Sequence, residues 1–170
     1  MKKSFLAALM SAAVLLPSAA FAADAKDLQV IGRALSFVEG GAKGDVTVAV
    51  VYSDDAAGSK AEAEQVVALI GAGMSAGGVT MKAKLVPMSG LAGAGDVAAI
   101  YVPKGMSAHY GALGAKKKLT VSTDKSCAES GGCVLSVESS PKVEILVNRA
   151  SAAAASITFG SAFRMMIKEI

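Results

Sequence analysis

The sequence predicts an α/β fold: a three-layer Rossmann-like sandwich with a mostly parallel sheet and a C-terminal antiparallel β-hairpin at the edge. Three observations predict it. Strand-like and helix-like stretches alternate through residues 25–122, and parallel strands need such crossover connections. The segment Asp45 to Tyr52 (DVTVAVVY) is almost continuously apolar or β-branched, as in a strand covered on both faces. Two short runs, Val134 to Glu138 and Val143 to Val147, are separated only by Ser139-Ser140-Pro141-Lys142, which gives an antiparallel hairpin.

Each element has its own pattern. From Ala25 to Glu39, Leu28, Ile31, Leu35 and Val38 recur at three- and four-residue steps along one helix face, and Gly40-Gly41 ends the run. After the strand to Tyr52, Ser53-Asp54-Asp55 reads as a turn and N-cap region, and Ser59 to Ile70 (SKAEAEQVVALI) is built from strong helix formers. Val79 to Val86 alternates apolar and basic residues, the pattern of a strand nearer the sheet edge. Asp96 to Val102 is a short buried strand. Met106 to Ala115 is a helix, and Lys116-Lys117-Lys118 places positive charge at its C-terminus, where the dipole favours it. Lys118 to Ser122 forms the next strand. Beyond the hairpin, Asn148 caps an alanine-rich turn through Ala152 to Ala155. Gly160 to Ile170 reads as a final helix with Phe163, Met166, Ile167 and Ile170 on one side. The glycine-rich segments Gly71 to Gly78 and Gly90 to Gly95 read as loops.

The first residues carry a different message. Lys2 and Lys3 precede an apolar run from Phe5 to Leu16, and Pro17 leads to Ala20-Phe21-Ala22, the layout of a secretory signal peptide with an A-x-A cleavage site. Residues 1–22 are therefore expected to be removed, leaving residues 23–170 as one exported domain in the periplasm, not embedded in the membrane. Cleavage takes two of the seventeen basic residues and none of the fourteen acidic ones, so the mature net charge is +1. That balance offers no basic footprint for nucleic acid.

Cys127 and Cys133 are the only cysteines. In an oxidising compartment two neighbours of this kind pair as a disulfide, here pinning the turn Glu129-Ser130-Gly131-Gly132 to the strand that follows. A redox centre, which would typically show C-x-x-C beside a helix N-terminus, and a metal site are the alternatives. His109 is the sole histidine, so no multi-histidine metal site is available, and its neighbours make no nucleophile motif. It reads as a partly exposed helix residue. Gly71-Ala72-Gly73 with Gly77-Gly78 follows a helix, the reverse of the strand-then-helix context that a dinucleotide fingerprint needs. The methionines Met74, Met81, Met88, Met106, Met165 and Met166 are scattered and read as core filler. No catalytic constellation, metal or cofactor is expected. A ligand, if one binds, belongs outside the carboxyl ends of the strands. That rim comprises Ser53, Asp54 and Asp55, then Lys104, then Thr123 and Asp124.

Several stretches together resemble the YfiR-like family of small periplasmic proteins. They are the helix end Ile31-Gly32-Arg33-Ala34-Leu35-Ser36-Phe37, the strand Val46 to Tyr52, and the C-terminal run. That run takes Cys127 and Cys133 through the hairpin to Asn148, the alanine-rich segment and Ser161-Ala162-Phe163-Arg164-Met165-Met166. The resemblance implies a non-enzymatic regulator that contacts the periplasmic domain of an inner-membrane signalling protein, such as a diguanylate cyclase in cyclic-di-GMP signalling, with a homodimer as a further option. The chain departs from the family by having one cysteine pair where two are usual, no tryptophan, and Phe163-Arg164-Met165 where leucines are usual. A small-solute-binding domain resembling half of a periplasmic binding protein is the alternative.

Overall fold

The computed structural model describes residues 23–170, and the expected signal peptide lies outside them. Helix α1 (Ala25–Ser36) precedes β1 (Gly44–Tyr52), α2 (Ser59–Ile70), β2 (Met74–Ala76) and β3 (Val79–Pro87). A 3-10 turn at Met88–Gly93 leads to β4 (Ala99–Tyr101), and a second at Ser107–His109 opens α3 (Tyr110–Gly114). Then come β5 (Leu119–Ser122), α4 (Lys125–Glu129), β6 (Leu135–Glu138), β7 (Glu144–Val147), α5 (Arg149–Ala154), α6 (Ser161–Arg164) and β8 (Lys168–Glu169).

The strands form one sheet in the order β2-β3-β1-β4-β5-β6-β7-β8. Pairing is parallel from β3 through β1, β4 and β5 to β6, while β2–β3 and β6–β7 are antiparallel. This is the mostly parallel Rossmann-like sandwich that the alternating pattern predicts. One face packs Leu28, Ile31 and Leu35 of α1, Ala63, Val66 and Ile70 of α2, and Phe159 and Phe163 against the sheet. Leu91, Met106, Leu113, Cys127 and Cys133 cover the other. The central strand β1 serves both: Val48 and Val50 face the first layer, and Ala49 and Val51 the second.

Several sequence expectations are corrected. Residues 71–78 are not only a loop: Met74–Ala76 pairs with Val79–Met81 as a tight antiparallel edge. Helix α1 lies directly on that edge, since a Cβ on Gly77 would sit 2.9 Å from Arg33 Cα and one on Gly32 would sit 2.8 Å from Ala76 Cβ. The 3-10 turn Met88–Gly93 runs into the second glycine-rich segment, which is therefore not only a loop. The cap of α2 is Gly58, in the left-handed region, instead of a residue of the Ser53–Asp55 turn. The tail is not one helix. It makes a single turn at Ser161–Arg164 and then extends as β8 alongside β7, so β8, and not the hairpin, is the outermost strand. Of the expected apolar stripe only Phe163 is buried, while Met166 and Ile170 are exposed. Met81 and Met106 do fill core, but Met165 is exposed.

Candidate functional site at the carboxyl edge

The chain runs from β1 through α2 to β3 on one side, then returns past β1 to β4 on the other. The strand order therefore reverses between β1 and β4. At such a switch point the loops leave in opposite directions and open a crevice outside the carboxyl ends. Ser53, Asp54 and Asp55 follow β1, Lys104 follows β4, and Thr123 and Asp124 follow β5.

Beneath this edge lies a buried polar chain. Glu62 sits on the inward stripe of α2, one turn before Val66, and is 9% exposed. The Tyr101 phenol, 1% exposed, donates to Glu62 Oε1 at 2.8 Å, and the Lys104 backbone N–H donates to Oε2 at 3.1 Å. Tyr101 Oη lies 3.0 Å from Thr123 Oγ1. The phenol has one proton and the carboxylate takes it, so the Thr123 hydroxyl donates to the phenol oxygen. Burial, and then the Glu62 charge, push the Tyr101 pKa well above its ordinary 10.0.

Lys104 and Thr123 also line a cavity of about 370 Å³ with Asp24, Asp27, Glu138, Ser139, Ser140 and Pro141. Its far wall is the first turn of α1. Asp24 Oδ1 accepts from Asp27 N at 2.8 Å and Asp27 Oδ2 accepts from Asp24 N at 3.1 Å, a reciprocal cap that fixes both carboxylates. The wall is joined to the end of β6 because Ser139 N donates to Asp27 Oδ1 at 2.8 Å and Lys26 Nζ donates to Ser139 O at 3.0 Å. Glu138 is held from outside by Lys125 at 2.7 Å, which also pairs with Glu144.

The rim expected from sequence is thus divided. Lys104 and Thr123 belong to this cavity, whereas Ser53, Asp54 and Asp55 line a separate hollow of about 280 Å³ with Tyr52, Pro87, Met88 and Ser89. Asp124 lines neither. It is the N-cap of α4, accepting from Ser126 N at 3.0 Å. His109 Nε2 donates to Asp55 Oδ1 at 2.9 Å, tying the loop after β4 to the loop after β1. Asp55 also accepts from Ser53 Oγ, and this bond, with the His109 contact, holds its carboxyl below the ordinary 3.8.

Cys127 and Cys133 are bonded, with Cα atoms 5.1 Å apart. Cys127 lies within α4, a helix the sequence pattern missed, and both cysteines are buried. Among the described residues no group of three or more acidic, histidine or cysteine side chains is placed to hold a metal, and no helix is long and apolar enough to cross a membrane.

Asp24, Asp27, Glu62, Tyr101, Glu138 and Ser139 were not singled out from sequence. Glu62 carried a signal: Glu62, Val66 and Ile70 share an i, i+4, i+8 stripe, so a carboxylate occupies an inward position. Asp24 and Asp27 carried another, as an acidic pair three apart ahead of the periodic run.

No family model matches the chain, and no curated protein matches it. Among solved structures it is similar to an ABC domain in complex with L-Trp from Streptococcus pneumoniae, at 16% identity and TM-score 0.53. It is also similar to a conserved domain protein from Vibrio cholerae O1 biovar El Tor, at 13% identity and TM-score 0.57. The likeness is one of fold. In each case the match covers 85% of this chain and 59% of the other, so the chain spans well under two thirds of either neighbour.

Proposed function

We propose that the chain is an exported, non-enzymatic regulatory module of the YfiR-like kind. It acts in the periplasm by contact with the periplasmic domain of an inner-membrane signalling protein, such as a diguanylate cyclase in cyclic-di-GMP signalling. One observation carries the reading: the stretches that hold the family resemblance meet in space as one unit. Phe37, at the end of the first stretch, stacks on Phe163 of the last with ring centroids 5.3 Å apart. Gly160 N donates to Phe37 O at 2.9 Å. Asn148, which caps α5 through Ser151 N, also donates from Nδ2 to Ala128 O at 2.9 Å inside the disulfide-closed turn. Stretches that carry the resemblance and also support one another structurally are what a shared fold unit requires. Capture of the tagged, processed protein from cells at native abundance, followed by peptide sequencing of what is retained, tests the reading. The expected result is an inner-membrane signalling protein with a periplasmic domain, together with altered cyclic-di-GMP when the gene is deleted. Retention of none, with unchanged cyclic-di-GMP, overturns it.

A second reading, a small-solute-binding domain, is favoured by the cavity between Thr123 and Asp24 and by the L-Trp held by the Streptococcus neighbour. Its volume lies at the small end of the ligand-site range of about 300–1,000 Å³.

A further inference from the structure

We propose that the open part of strand β3, from Lys82 to Val86, receives an extended acidic segment of a partner protein as an added strand of the sheet. The inference rests on the first reading, regulation by contact with a partner protein, and names the surface and the chemistry of what it contacts.

Its first support is the geometry of the edge. β3 has nine residues, all in register with β1 on the inner side, but β2 pairs with only the first three, Val79 to Met81. Among the described residues no strand lies on the outer side of Lys82 to Pro87. The hairpin fixes which backbone groups face outward. Ala76 and Val79 flank the two-residue turn Gly77-Gly78, both glycines at positive φ, so they are the closing pair and exchange both bonds. Direction then alternates along the strand. Val79 and Met81 turn toward β2, Thr80, Lys82 and Lys84 toward β1, and Ala83 and Leu85 turn their N–H and C=O groups to the empty side. Among the described residues no turn or loop bonds to the backbone of residues 82–87. An open row of this kind is the template onto which an extended segment adds.

The second support is the charge beside that row, which selects the occupant. Ala83 and Leu85 share the face of their β1 neighbours Val48 and Val50, while Lys82 and Lys84 emerge on the other. Leu85 is 36% exposed. Lys84 Nζ donates to the neutral Ala94 O at 3.0 Å, so its charge is not answered there by a carboxylate. Lys82 pairs with Asp45, and both side chains of that pair are open to solvent, where an ion pair exchanges cheaply. The lysines work against a second copy of the chain. Two-fold pairing of β3 is antiparallel, and when Ala83 meets Leu85 it sets Lys84 opposite Lys84; when Ala83 meets Ala83 it sets Lys82 opposite Lys84. When Leu85 meets Leu85 the two Lys84 become diagonal neighbours, and the next pair falls on Pro87, which has no N–H to give. An acidic strand reverses the sign of every such contact. Carboxylates at alternate residues meet Lys82 and Lys84, and the apolar side chains between them lie against Ala83 and Leu85. The occupant is therefore a short segment that alternates acidic and apolar residues.

The test titrates the processed protein, residues 23–170, labelled with nitrogen-15, with the end-blocked peptide Thr-Glu-Val-Glu-Val-Glu-Thr and with its counterpart carrying lysine for each glutamate. In the free protein the amides of Ala83 and Leu85 are expected to exchange fast and those of Lys82 and Lys84 slowly. The acidic peptide is expected to shift the Ala83 and Leu85 signals saturably and to slow their exchange, and the basic peptide to do neither. Ala83→Pro, which deletes an outward N–H and leaves the bonds to β1 in place, is expected to weaken binding about fivefold or more, as loss of a hydrogen bond does. Lys84→Glu is expected to weaken the acidic peptide by a similar factor and to admit the basic one. Lys168→Glu, the same change of charge at the opposite edge of the sheet, is expected to bind like the parent. Circular dichroism on each variant confirms folding, and should Ala83→Pro fail to fold, the exposed Lys84→Glu carries the test. No saturable shift with the acidic peptide, equal affinity for both peptides, or shifts confined to other strands overturn the proposal. A dimer in analytical ultracentrifugation that Ala83→Pro dissociates also overturns it, because a second copy then holds the edge. Capture of the same inner-membrane partner by the parent and by both β3 variants overturns the edge and leaves regulation by contact standing. Peptide binding at β3 without any such partner upholds the edge and overturns only the first reading.

Discussion

Tyr101 holds the one phenol in the core that bridges a carboxylate to a hydroxyl, and its substitution separates packing from polarity. Tyr101→Phe keeps the ring but leaves Glu62 Oε1 buried without its donor. We expect a loss of about 1–3 kcal/mol in urea unfolding, the usual cost of an unsatisfied buried polar group. Glu62→Gln replaces one of the two accepting oxygens by an NH2 donor and should also destabilise; stability equal to the parent's would contradict the assignment of Glu62 as acceptor on both oxygens. The pH dependence has a definite sign. A phenol whose folded pKa is raised is favoured in its neutral form, so its stabilisation is complete below the unfolded value of 10.0 and is lost as pH rises beyond it. Tyr101 should therefore ionise only along with alkaline unfolding, and the tyrosinate absorbance rise that coincides with loss of circular dichroism should shrink in Tyr101→Phe. Asp55 runs the other way: its lowered pKa means stabilisation present at neutral pH and lost only as pH falls below the ordinary 3.8. Carbon-13 titration should show the Asp55 carboxyl moving up toward 3.8 in His109→Gln. These residue-scale features were only partly legible in the sequence. Glu62 on an apolar stripe was readable, but its partners, 39 and 42 residues away, depend on how β4 ends over α2.

At the scale of elements, what was legible tracks the length of the pattern. β1 and α2 carry nine and twelve residues of consistent pattern, so their own sequence specifies them. α4 has five residues and β8 two, too few for either period to show. Pairing makes β8: Ile170 N donates to Val147 O and Arg149 N to Ile170 O, which pulls the tail out of the helix that its apolar spacing suggests. α4 is made by its ends, with Asp124 capping the front and the disulfide closing the back. The same ends locate its energetics. The Cys127–Cys133 loop is short and restricts few unfolded conformations, so Cys127→Ala/Cys133→Ala should cost near the low end of the usual range, about 2 kcal/mol in reversible denaturation. Asn148→Ala deletes a cap and the bond to Ala128 O together and should cost about 1–2 kcal/mol. Because the two sites share the Ala128 turn, the combined variant should lose less than the sum of the separate losses. Strict additivity in a double-mutant cycle would show that the turn does not couple them.

For the molecule as a whole, the question is what joins the last residues to the end of α1. The sheet alone does not: β8 contributes only two residues at its edge. The join is the aromatic cluster on the first face, where Phe163 is 1% exposed and stacks on Phe37, and its centroid lies 4.9 Å from that of Phe159. Around it, Val38 bridges Phe159, Glu39 N donates to Thr158 O and Gly160 N donates to Phe37 O. The backbone of residues 158–160 is therefore bonded to the end of α1, and Phe163 fills the gap between them. Removing that ring should act on the end of α1 and on the C-terminal tail at once. Phe163→Ala is expected to lose about 3–5 kcal/mol, the range for a fully buried aromatic cut to alanine. Phe163→Leu, which fills most of the volume, should lose much less. The distinguishing measurement is hydrogen exchange: in Phe163→Ala the amides of Glu39 and Gly160 should lose protection together with that of Ile170, while those of β1 remain the slowest. If only residues 160–170 lose protection and Glu39 keeps its own, the tail is merely laid on the domain, and the unit formed by the tail and the end of α1 does not exist.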